Sequence, residues 1–175
     1  IFVGFEHIIP KGWDHIVFVL GLFFFSSKFK PLIWQISTFT LAHTITLALG
    51  SLGYIRIIPE LVEPLIALSI VFISFENIFT KNFSRWRPLV IFTFGLLHGL
   101  GFASVLGEFG LPTEFFIPAL LGFNVGVEFG QLTVVLLAFI LLGYWSNQKN
   151  YYTSSIAQPI SAIIGLVGAF WFIER

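Results

Sequence analysis

The sequence predicts an all-α polytopic membrane bundle of about six transmembrane helices, with residues 1–175 forming a single transmembrane domain. Three observations predict it. The chain is 57% hydrophobic and 10% charged, where soluble domains average about 25% charged. Its mean hydropathy is +0.93, a balance no soluble globule of this size can wrap. Its apolar runs are continuous and far longer than a barrel strand needs, so the backbone must close its own hydrogen bonds as helices.

The spans follow in order at 12–27, 31–52, 62–80, 88–108, 113–145 and 155–174. Pro31, Pro64 and Pro88 stand where first helical turns are expected, because proline lacks only an N–H that a first turn leaves unbonded. Gly53-Tyr54, Lys81-Asn82 and Ser146-Asn147 mark polar breaks. The fifth span exceeds what a bilayer needs at about 1.5 Å per residue, so it is expected to tilt, bend or project. The 23 Phe residues suit a lipid-facing exterior. The chain begins at Ile1, as expected of a sequence without its true start, and whether a signal peptide precedes it is not legible.

Loop charges orient the bundle. Lys28, Lys30, Lys81, Arg85, Arg87 and Lys149 fall on one side, and Lys11, Arg56 and Arg175 on the other. The positive-inside rule then sets the N-terminus, the 53–61 and 109–112 loops and the C-terminus outward. Glu6, Asp14, Glu60, Glu63, Glu108, Glu114 and Glu174 gather at that outer face. The setting expected is a bacterial inner (cytoplasmic) membrane, with lipids as neighbours. Zero net charge gives no sign of nucleic acid. Self-association into a homo-oligomer stays open.

Ionisable groups inside a membrane are functional candidates by default, and all four histidines lie in or beside spans. His7 precedes the first span, Asp14 and His15 begin it, His43 lies in the second and His98 in the fourth. At about 1.5 Å per residue, His43 and His98 both sit roughly 14–16 Å below the outer face. The fifth span carries Asn124, Glu128 and Gln131 on one helix face, while Gly122, Gly126 and Gly130 repeat every four residues on another. Small residues at that spacing let a second helix approach closely. Glu76 is expected at the inner interface, paired with Lys81 or Arg85, and Glu63 at a helix start.

The chemistry follows from residue type. The chain has no Cys and no Met, which removes the soft ligands of Cu(I) and iron–sulfur clusters. Neutral imidazoles with one or two carboxylates suit Zn, Ni, Co or Fe. His7, Asp14, His15, His43, His98 and Glu128 are the candidate metal ligands, with His15, His43 and His98 foremost. Thr44, Asn124 and Gln131 are candidate donors or acceptors that orient those ligands. The glycines beside His98 are expected to leave room for ion, water or substrate. Against this stands a plainer reading: an intramembrane histidine also serves as a helix–helix hydrogen-bond donor, and the glycines as packing residues.

The stretches "GFEHIIPKGWDHIVFVL", "FTLAHTITLALGSLG", "VEPLIALSIVFISFEN", "FGLLHGLGFA" and "LLGFNVGVEFGQL" together resemble the successive motifs of the HupE/UreJ membrane family, over about residues 4–133. The resemblance implies a helical membrane protein of nickel or cobalt permease or accessory type. It places the family's motif residues at His7, Asp14, His15, His43, His98, Glu128 and Gln131.

Three functions compete. A permease for a divalent transition metal (Ni, Co or Zn) needs exchangeable ligands and a polar route to the inner face. An intramembrane zinc hydrolase needs an open metal position, where bound water ionises near pH 7, and a general base, Asp14 or Glu128. Its substrate would be a lipid or lipidated molecule. A non-catalytic accessory or scaffold subunit needs neither.

Overall fold

The computed structural model describes residues 1–25, 28–80, 85–108, 115–146 and 152–175, apart from the side chains of 104–108 and 143–146. The chain is an all-α membrane bundle. It runs α1 (Phe2–Ile8), α2 (Trp13–Phe25), α3 (Phe29–Ser51), α4 (Pro59–Phe79), α5 (Arg87–Glu108) and α6 (Phe116–Ser146). One π-helical turn, Thr153–Ala157, then leads into α7 (Gln158–Glu174). The α3 and α4 helices, α6, and the last segment are each long and apolar enough to cross a membrane. The α1–α2 pair, bent by 72°, makes a fifth such unit, and α5 packs beside α3. The expected sites Lys81, Lys149, Glu114, the 109–112 turn and the Lys81-Asn82 break lie outside the described residues.

Two boundaries differ from the sequence expectation. Pro59, not Pro64, opens α4, behind Ile58 in extended backbone. A residue before proline avoids the helical region, which fixes the start there. Pro64 therefore lies inside the helix. The second difference is α1, a separate short helix that the first span did not include. At the other end of α3, Gly53 takes φ +77° while the N–H groups of Leu52, Gly53 and Tyr54 return to Ala48, Gly50 and Leu49. That left-handed residue ends the helix.

Helices in lipid gain little from burying apolar surface against one another, so close backbone approach carries the packing. Glycine supplies it. On α5, a Cβ at Gly95 would meet the Phe39 carbonyl, and one at Gly99 the His43 carbonyl and Thr46 Oγ1. These two glycines seat α5 on α3 and leave no space for an ion, which corrects the expectation for them, whereas Gly101 lines the cavity that reaches His98. On α6, Gly126 faces the Ile1 carbonyl and the Phe5 N–H, and Gly130 faces Ile8. The α6 glycine row is thus the seat of α1. The Phe residues divide between two environments. Phe18, Phe23 and Phe39 are buried in the core, while Phe75, Phe129 and Phe170 face outward.

Candidate metal centre

Four histidines arrive from four helices. His7 lies in the last turn of α1, His15 sits in the first turn of α2, and His43 and His98 lie within α3 and α5. The sharp turn between α1 and α2 folds His7 back over His15. Gly12 permits that turn, since a Cβ there would strike the His7 carbonyl. The ring centroids of His7 and His15 are 5.0 Å apart, of His15 and His43 5.6 Å, and of His15 and His98 4.9 Å. Ligand nitrogens of His7, His15 and His43 all lie within 4.8 Å of one another. With metal–nitrogen bonds near 2.0–2.1 Å, tetrahedral ligand nitrogens stand roughly 3.4 Å apart.

The Nε2 atoms of His7, His15, His43 and His98 are all buried and have no hydrogen-bond partner. A buried polar atom left unpaired costs about 1–3 kcal/mol, so four in one place ask for an occupant. Two of the rings are oriented from behind. His43 Nδ1 lies 3.0 Å from Asn124 Oδ1, and the Asn124 amide N–H donates to the Leu120 carbonyl at 2.9 Å. His98 Nδ1 donates to the Phe94 carbonyl at 2.8 Å. Both acceptors are carbonyl oxygens, so each Nδ1 carries the proton and each Nε2 presents its lone pair. Phe39 packs edge-on against His15 and His98, and Phe102 lies 4.2 Å from His7, centroid to centroid.

A cavity of about 200 Å³ leads to His7, His15 and His98 from the end that carries the α1–α2 turn. Charges rim it. Asp14 receives two N–H groups of Arg175, at 3.1 and 3.5 Å, and Glu63 lies 4.0 Å from Arg175 Nε. Asp14 thus stands at the mouth, engaged by a guanidinium. Glu128 stands elsewhere: its carboxylate accepts from Ser37 on α3. Gln131 accepts from Thr40 at 3.0 Å. Thr44 donates to the Thr40 carbonyl of its own helix at 2.7 Å. Of the candidate orienting residues, Asn124 alone contacts a histidine among the described residues.

The sequence reading missed a second polar centre at the opposite end. Arg87, one of the charges that orient the bundle, is only 2% exposed. It pairs with Glu76, donates to Gln35 Oε1 at 2.9 Å and lies 3.9 Å above the Phe25 ring. Arg85 is exposed, so Arg87 rather than Arg85 holds Glu76. The signal was Pro88, a first-turn residue, which puts Arg87 at the start of α5 rather than in the middle of a loop.

The chain matches the HupE / UreJ protein family over residues 1–175, its whole length. It belongs to the HupE/UreJ family. None of the curated proteins or solved structures compared with it matches. The five motifs of that resemblance now have places: two bring in His7, Asp14 and His15 together with His43, a third forms α4, and the last two supply His98 and the Asn124–Gln131 face.

Proposed function

We propose that this HupE/UreJ member is a permease for a divalent transition-metal ion of the Ni, Co or Zn type, in a bacterial inner membrane. The ion enters through the Asp14–Glu63 mouth and is held by His7, His15 and His43, with His98 completing the shell. The observation that carries this reading is the convergence of four buried, unpartnered imidazole Nε2 atoms, three of them on histidines that line an open cavity (His7, His15 and His98) and the fourth on His43, whose ring lies 5.6 Å from that of His15. A packing role for the histidines gives no reason for those atoms to lack partners.

The hydrolase reading has less support. It needs Asp14 or Glu128 as its general base. Asp14 is engaged by Arg175, and Glu128 bonds Ser37 on the α3–α6 face. Neither joins the three-histidine group.

The test is metal content of the detergent-purified protein by plasma mass spectrometry, wild type beside His43→Ala and His98→Ala, before and after incubation with Ni²⁺. The expected result is about one equivalent in wild type, lost in His43→Ala and reduced in His98→Ala. Absence of any transition metal in wild type after incubation would overturn the reading.

A further inference from the structure

A divalent ion among neutral imidazoles brings two positive charges into a membrane interior, where an uncompensated charge is costly. The histidine group itself contains no carboxylate. Most acidic groups near the bundle are already held: Asp14 and Glu63 face Arg175, Glu76 pairs with Arg87, and Glu6 lies 3.9 Å from Lys11. Glu128 differs. It lies on α6 within the bundle's span, bonds a hydroxyl, and pairs with no cation among the described residues.

Its position relative to the histidines follows from the helices. Three pairs join α3 to α6: His43 with Asn124, Thr40 with Gln131, and Ser37 with Glu128. Thr40 and Ser37 precede His43 by three and six residues, and Glu128 and Gln131 follow Asn124 by four and seven. The two helices run in opposite directions, so every one of these steps leads away from the mouth. At about 1.5 Å per residue, Ser37, Thr40, Glu128 and Gln131 form a polar layer spread over roughly 5–10 Å beyond the His43–Asn124 pair, each bonded pair centred about 7–8 Å from it. The layer offers oxygens: two hydroxyls, an amide carbonyl and a carboxylate. It also holds an open donor. Gln131 is 0% exposed, and its Nε2 has no partner. A water on a partly hydrated ion would accept from it.

We propose that Glu128, with Ser37, Thr40 and Gln131, is the next station for the cation after the histidines, and that its carboxylate supplies the countercharge. This rests on the permease reading. Imidazole binds borderline divalent ions more strongly than hydroxyl or amide oxygen does. A route needs sites tight enough to enter and weak enough to leave. Nitrogen first and oxygen second gives that gradient, directed from the mouth to the far face.

The experiment uses the full chain in proteoliposomes with a trapped metal-sensitive dye and Ni²⁺ as the probe. Wild type, His43→Ala, Glu128→Gln and Glu128→Asp are compared, with Ni²⁺ binding stoichiometry measured in detergent for each. Glu128→Gln is expected to bind Ni²⁺ at the wild-type stoichiometry while uptake falls about tenfold or more, and Glu128→Asp to recover part of the rate. Uptake by Glu128→Gln at the wild-type rate overturns the station and leaves the permease reading standing. Loss of stoichiometric binding in Glu128→Gln also overturns it, since the carboxylate would then belong to the histidine site. Wild type that binds Ni²⁺ but moves none overturns the permease reading, and the station with it.

Discussion

His43 shows how a single polar group is made tolerable inside this bundle. Its Nδ1–H is satisfied by Asn124, whose own amide is fixed on the Leu120 carbonyl. What remains exposed to the site is one lone pair, facing those of His7 and His15. Removing the acceptor frees the ring to rotate and to take the other tautomer. Asn124→Leu is therefore expected to weaken Ni²⁺ or Zn²⁺ binding about 10–100-fold at unchanged stoichiometry, the usual cost of losing a partner behind a ligand. Asn124→Asp, which keeps an acceptor at the same place, is expected to restore most of that affinity. Calorimetric titration of the purified variants checks both. Unaltered affinity in Asn124→Leu would mean that the hydrogen bond packs α3 on α6 and does nothing for the site.

At the scale of the element, the site depends on α1. A seven-residue helix has little stability of its own, so His7 is positioned by where α1 docks. The α6 glycines provide the dock, and a side chain at Gly126 would overlap the backbone at Ile1 and Phe5. Gly126→Leu is expected to lift α1, lower metal affinity as far as His7→Ala does, and leave the helical circular dichroism intact. The double variant Gly126→Leu/His7→Ala should be no worse than either single one, because both remove the same ligand. Additive losses would separate α1 docking from His7.

The same element shows what was legible in the sequence. The four-residue glycine period on α6 announced a close-packed helix, but it did not say which one. A seven-residue helix is too short to register in a search for bilayer-length apolar runs, so His7 read as a residue ahead of a span rather than part of a folded-back helix. The histidines were legible because each interrupts an apolar run. Gly95 and Gly99 misled for the same reason: local sequence shows that they are small, while only the neighbour on α3 shows what fills the space, and Gly101 alone of the three lines the cavity. The Glu128–Ser37 pair joins residues 91 positions apart, a juxtaposition no local pattern carries.

Across the whole molecule, polarity is divided between the ends. The mouth end holds the histidines and the Asp14–Arg175–Glu63 group. The far end holds Arg87, buried against Glu76, Gln35 and Phe25, and so joins α2, α3, α4 and α5. In a bundle with small-residue packing, such an ionic centre keeps the far ends of four helices together while the mouth end carries an open cavity. Breaking a buried pair by removing one member strands the other charge and costs about 3–5 kcal/mol, whereas replacing both members together is often neutral. Glu76→Gln alone leaves the Arg87 guanidinium without its countercharge and should lower the thermal midpoint in detergent clearly. Arg87→Met alone strands the carboxylate and should do the same. The double variant Glu76→Gln/Arg87→Met should recover most of the loss, because a neutral amide and a thioether need no ionic partner. Ni²⁺ stoichiometry should stay at the wild-type value in the double variant, since the histidines lie at the other end of the helices. A double variant no more stable than the singles would show that Arg87 acts through Gln35 and Phe25 rather than through Glu76. A double variant that folds but loses the metal would show that the two ends are coupled along α3, the helix that carries both Gln35 and His43.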